Sequence, residues 1–182
     1  MNFINSLTTH KIVEPNKLNA LRTGNMVAQA PYRQVAAETY LDNGAILFLD
    51  TAAELVLGNH ANAQLEQPFL HYTEENMNGP VLGTKYFTVD LDELIGATPV
   101  CYPRALALEV GDEFTTDNIA GVIPAAGTKK FAILAAGVLT IADAIPTTAY
   151  EGPLFVVDRD TLAAGTVAAH LTLIKKHLVV TV

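Results

Sequence analysis

Apolar residues in this chain come in short runs separated by glycine, asparagine, aspartate and proline. AILFLD follows Asn43-Gly44, a pair that tolerates positive φ and marks a tight turn. A strand is predicted there, and TAAELVLGN after it reads as a short helix or a second strand. Residues 59–68 read as loop. Phe69–Thr73 reads as a strand and Asn78-Gly79-Pro80 as a turn. In TKYFTVDL, Tyr86, Thr88 and Asp90 alternate with Phe87, Val89 and Leu91, the period of a strand. YPRALALEVGDEFTTD predicts a strand over Ala105–Val110, a turn at Gly111-Asp112 and a return strand over Glu113–Thr116. KKFAILAAGVLTIAD predicts a hairpin turning near Ala136-Gly137. GPLFVVD and VAAHLTLIKKHLVVTV complete the set, with Leu178, Val180 and Val182 on one face.

Turn signals every 8–15 residues between β-rich runs predict an all-β fold, a small β-sandwich or barrel with little helix. Threonine occurs 19 times and serine once, a bias that suits half-buried pleated faces. Residues 1–36 lack such periodicity. Pro15, Gly24 and Pro31 interrupt them, and one short helix is predicted over Asn16–Arg22, just after Pro15. The expectation is an extended N-terminal arm, 1–36, that needs a surface to lie on. It precedes a β-rich body, 37–182, built as one unit or as two lobes, 37–100 and 101–182. Deleting residues 1–35 is then expected to leave the body folded.

Charge sharpens that division. Residues 1–40 hold four basic and two acidic side chains, 4 − 2 = +2, and the remainder holds 7 − 17 = −10. The total of −8 argues against a dedicated nucleic-acid binder, which needs a basic face. Half of the 182 residues are hydrophobic and only 16% are charged, where about 25% is usual. No apolar run reaches the roughly 18 residues that span a bilayer. The nearest, KKFAILAAGVLTIADAI, is broken by Gly137 and Asp143. The apolar excess is therefore expected in a core or in protein–protein contacts. MNFINSLTTHK lacks the basic and apolar regions of a signal peptide, so synthesis in the cytoplasm is the expectation. One cysteine, Cys101, permits no intrachain disulfide.

Candidate chemistry is sparse. The one serine, Ser6, lies in the arm, and no G-x-S-x-G occurs. Cys101 has no histidine nearby in sequence and reads as a structural thiol. His10, His60, His71, His170 and His177 show no metalloprotease spacing and read as surface or interface residues. Phosphate-binding glycine loops are missing. Carboxylates cluster at Asp90, Asp92 and Glu93, at Asp158 and Asp160, and in LEVGDEFTTDNIAG, residues 108–121. The last stretch, with Glu109, Asp112, Glu113 and Asp117, lacks the register of a calcium loop. It reads as a turn between strands and not as a site.

VGDEFTTDNI, FAILAAGVLTIAD, YEGPLFVVDRDTLAAG and AHLTLIKKHLVVTV together resemble the capsid decoration (cement, or auxiliary head) proteins of tailed bacteriophages. The resemblance covers residues 100–182, and the arm more loosely. It implies a virion structural protein on the capsid exterior, bound to the major capsid protein, with a homo-oligomer, a trimer by family analogy. It implies no enzyme, no cofactor or metal, and no nucleic-acid, membrane or small-molecule partner. Lys17, Arg22, Tyr32 and Arg33 are the capsid-interface candidates, since Tyr and Arg favour interface hot spots and the cations suit an acidic capsid surface. Alternatives are another virion part (head-fibre base, minor capsid or tail protein) or a carbohydrate- or ligand-binding module on Tyr72, Tyr86, Tyr102 and Tyr150. A hydrolase using Asp112, Glu113 and Asp117 is a further alternative.

Overall fold

A computed structural model describes residues 11, 13–27, 30–33, 40–59, 61, 63–72, 89–90, 102–162 and 165–181. In chain order the elements are β1 (Val13–Lys17), α1 (Asn19–Thr23), β2 (Met26–Val27), β3 (Tyr40–Leu41), β4 (Ile46–Leu49), β5 (Leu55–Leu57) and β6 (Phe69–His71). Then follow β7 (Val89–Asp90), β8 (Ala105–Ala107), β9 (Glu113–Thr116), β10 (Lys130–Ala135), β11 (Val138–Ala142), β12 (Tyr150–Thr161) and β13 (Val167–Val180). They form a six-stranded sheet, β1-β9-β13-β12-β10-β11, a five-stranded sheet, β2-β8-β6-β4-β5, and the pair β3-β7. The strand pairings within these sheets are antiparallel.

The two larger sheets share one core. Phe114, Phe155, Leu171 and Leu173 from the first meet Ile46, Phe48, Leu70 and Leu106 from the second. Phe114 and Phe155 pack edge to face, with centroids 5.9 Å apart. Each such side chain, fully buried, contributes about 1.5–3 kcal/mol. The architecture is thus the all-β sandwich that the sequence predicts. The second sheet is also buried on its far face, where Leu47, Leu55, Phe69, Ala105 and Ala107 pack with Tyr32 and Leu41. Burial on both faces explains why AILFLD is continuously apolar instead of alternating.

TAAELVLGN resolves into a turn and a strand. The Asp50 carboxylate accepts the N–H groups of Ala52 and Glu54, at 2.8 and 2.9 Å, and so fixes the turn ahead of β5. The predicted Asn16–Arg22 helix shrinks to α1, because Asn16 and Lys17 belong to a strand that pairs with β9. Pro15 is tolerated there because β1 is an edge. Gly24, at φ 73°, ends α1 in the left-handed conformation.

The described part of the arm does run extended over residues 13–17, but the surface it lies on is this chain's own body. β1 closes one edge of the first sheet and β2 one edge of the second. Val13, Leu18 and Ala20 enter the shared core. Residues 1–35 therefore include an edge strand of each of the two larger sheets, which a deletion of that segment would remove. Ala105–Ala107, expected in a second lobe, sits in the sheet formed by strands of 46–71. Asn78-Gly79-Pro80 and all of TKYFTVDL except Val89–Asp90 lie outside the described residues.

β12 and β13 form a long hairpin with two irregularities. The pairs Gly152↔Leu178, Leu154↔Lys175 and Phe155↔Leu173 leave extra residues on β13 around Lys176 and Ile174. Bulges of this kind bend and twist the strand that carries them.

One glycine ties the sheets together. Gly44 has φ 86°, and a Cβ there would stand 2.6 Å from Thr116 Oγ1. Asn118 bridges the same place, its backbone N–H on Thr116 Oγ1 and its side-chain amide on the Asn43 carbonyl, both at 3.0 Å. Gly44→Ala is expected to cost about 2–4 kcal/mol from backbone strain plus overpacking. Thermal unfolding should show Tm lowered by roughly 5–15 °C.

Candidate functional site

The acidic stretch 108–121 lies where the chain leaves β8 in one sheet and enters β9 in the other. Gly111, at φ 90°, makes the reversal, and its N–H bonds the Leu173 carbonyl at 2.8 Å. Asp112 is buried at 4% exposure. Its Oδ2 accepts the Glu109 N–H at 2.8 Å, and its Oδ1 accepts the Asn19 N–H at 2.9 Å, at the start of α1. Both oxygens are therefore committed to backbone donors that have no other strand or helix partner in reach. Asp112 fastens the arm to the crossing between the sheets.

The neighbouring acids are also engaged. Lys176 Nζ reaches both Glu109 oxygens at 3.1 Å and Gln67 Oε1 at 2.8 Å. Gln67 in turn donates to the carbonyls of Pro68 and Leu108. Glu113 lies 3.8 Å from Lys17 and 3.7 Å from His170. A hydrogen-bond chain runs across the first sheet from Asn16 Nδ2 to Thr115 Oγ1 and on to Asp160 Oδ2, at 3.0 and 2.9 Å. The Thr161 N–H, then the Thr115 hydroxyl and His170, hold the Asp160 pKa below the usual carboxylate range. Asp158 accepts the Arg159 N–H. Among the described residues no group of three or more His, Cys, Asp or Glu is placed to hold a metal ion.

The four interface candidates do not form one patch. Lys17 and Arg22 border a common groove beside Asp112. Tyr32 is a correction: it is buried at 6% in the cluster on the far face of the second sheet. Backbone bonds put it there, since the Leu55 N–H reaches the Pro31 carbonyl at 2.7 Å and the Arg33 N–H reaches the Leu55 carbonyl at 2.8 Å. Arg33 is exposed, but its guanidinium pairs with Glu54 and lies 3.7 Å from Asp50, holding the segment to the turn before β5.

Three of the four platform tyrosines are described, and each is placed by different surroundings. Tyr150 folds back over Gly152, donating to the Pro153 carbonyl at 2.6 Å and accepting the Leu134 N–H at 3.1 Å. Burial raises its pKa, and the Leu134 bond opposes that rise. Tyr72 packs against the shared core and Tyr102 is exposed. Tyr86, Asp92, Glu93, Cys101, His10 and His60 lie outside the described residues, as do the side chain of Asp90 and the end of the arm.

His71 is the second correction. It was expected at a surface and is wholly buried at the end of β6. Its Nδ1 lies 3.0 Å from the Arg104 carbonyl and so carries the proton, while Nε2 has no hydrogen-bond partner among the described residues. Burial lowers its pKa from 6.5 to about 4, against the raising effects of the Arg104 bond and the nearby Asp42 carboxylate. No sequence signal marked it beyond the apolar flanks of PFLHY.

No family model, curated protein or solved structure matches this chain.

Two predictions follow from this geometry. Asp112→Ala strands two part-buried N–H donors and is expected to cost about 2–4 kcal/mol in urea unfolding. Asp112→Asn, which keeps one acceptor, should lose less. The unfolded chain protonates His71 near pH 6.5, whereas the folded chain resists until about 4. Stability is therefore whole above pH 6.5 and falls as pH drops from 6.5 to 4, by on the order of 3 kcal/mol. Asp160, with its folded pKa depressed, adds a loss of the same sign at lower pH. His71→Asn should flatten the slope between pH 6.5 and 4 in denaturant titrations.

Proposed function

We propose that this chain is a virion structural protein that binds the outside of an assembled phage head and bridges neighbouring major capsid subunits. The observation that carries the reading is where the exposed large apolar side chains lie. Among the described residues Leu21 and Met26 are exposed outside the stretch that bears the resemblance to decoration proteins, while Val110, Val122, Val138, Ile145, Val167 and Val179 are exposed within it. They stand at turns, strand ends and loops of a rigid sandwich. Scattered apolar contacts of this kind are weak singly and become effective when one protein touches two subunits of a lattice at high effective concentration. The carboxylates named for a hydrolase are engaged within the chain, Asp112 by backbone N–H groups and Glu113 beside Lys17, which favours a structural role. An oligomer, as in the family, would multiply the same contacts.

Purified protein should cosediment saturably with heads assembled from the major capsid protein of the same genome, and far less with unassembled subunits. Val138→Asp combined with Val179→Asp should weaken that binding about tenfold or more while Tm holds. Absence of cosedimentation with intact heads would end the capsid reading.

A further inference from the structure

Beside the Asp112 junction the chain leaves a groove of about 440 Å3, lined in part by Pro15, Lys17, Leu18, Leu21, Arg22 and Asp112. Leu21 is 46% exposed, so the groove presents apolar surface to solvent. The Lys17 side chain is 72% exposed and stands 3.8 Å from Glu113, at the long end of ion-pair reach. Arg22 bonds only the neutral Asn19 Oδ1, at 2.8 Å, and has no carboxylate in ion-pair range among the described residues. Asp112, the acid in the lining, is buried and turns both its oxygens to backbone N–H groups.

We propose that this groove docks an acidic protein segment, with an apolar side chain against Leu21 and carboxylates on Lys17 and Arg22. Charge complementarity fixes the sign of the partner. Of the two exposed cations that border the groove, Lys17 faces Glu113 at 3.8 Å and Arg22 faces no carboxylate among the described residues, so Arg22 is the stronger anchor for an acidic segment. Screening over about 8 Å at physiological salt lets the two cations act locally despite the net charge. The inference goes beyond the capsid reading, because the groove's chemistry is the same whichever protein carries the segment.

The test uses the full chain, labelled for amide NMR, and a short peptide with Asp and Glu around a central Leu pair. The acidic peptide is expected to move the amide signals of residues 15–22 saturably. The same peptide with Lys in place of each acid should leave them still. Arg22→Glu should weaken binding about tenfold with Tm unchanged, because the Arg22 side chain makes only one exposed bond. Leu21→Ser should weaken it too. The proposal is overturned by equal shifts with the Lys peptide, by shifts centred elsewhere, or by no shift at millimolar peptide. It is also overturned if the groove signals move with protein concentration alone, which would make a second copy the occupant. Heads that bind Arg22→Glu normally would remove the groove from the capsid contact and leave the capsid reading standing.

Discussion

The Asp112 carboxylate is the constraint on which the rest of the arrangement depends. The chain must cross from one sheet to the other at residues 108–112, and the N-terminal segment must turn from β1 into α1 beside that crossing. Both moves leave backbone donors that no ladder can satisfy. One buried carboxylate takes a donor from each, Glu109 N–H and Asn19 N–H. A buried charge is costly unless its oxygens are occupied, and here they are. Because the two donors lie about ninety residues apart in sequence, the same group that makes the turn also fixes the start of the chain against its middle.

That arrangement explains why the arm was hard to read. Its composition, with Pro15, Gly24 and Pro31 and scattered apolar residues, is that of a segment unable to fold alone, and this is correct as physics. What composition cannot show is whose surface receives it. β1 is held by β9, and the segment around Tyr32 by Leu55, both through backbone bonds that leave no periodic trace. Where a strand meets a neighbour on both sides or turns sharply, the sequence was informative. The Asn43-Gly44, Gly111-Asp112 and Ala136-Gly137 turns stand where they were placed, and β9 spans Glu113–Thr116 as predicted. The all-β class followed from those turns. The stitching did not, because long-range pairing is a property of the partner and not of the local sequence.

The candidate site divides in the same way. The reading of 108–121 as a turn anticipated its geometry, but not that Asp112 would be its most buried carboxylate. Lys17 and Arg22 were legible as cations on an acidic protein, whereas their shared groove depends on β1 and α1 meeting beside Asp112. His71 had no signature, since a histidine within an apolar strand has the same sequence whether its ring meets solvent or core. Its burial gives the sandwich an interior group that protonation would force to carry a desolvated charge.

The order of strands also governs how this chain can be assembled in time. In the first sheet β9 lies between β1, near the start of the sequence, and β13, at its far end. During synthesis the strands of the second sheet emerge early and can pair, yet the cover of their inner face is complete only when Leu171 and Leu173 arrive. Val13 must likewise wait for Thr116 before its strand has a neighbour. Such non-local pairing makes folding slow and leaves apolar surface open meanwhile. The nascent protein therefore depends on protection from its own neighbours until its last hairpin closes the sandwich.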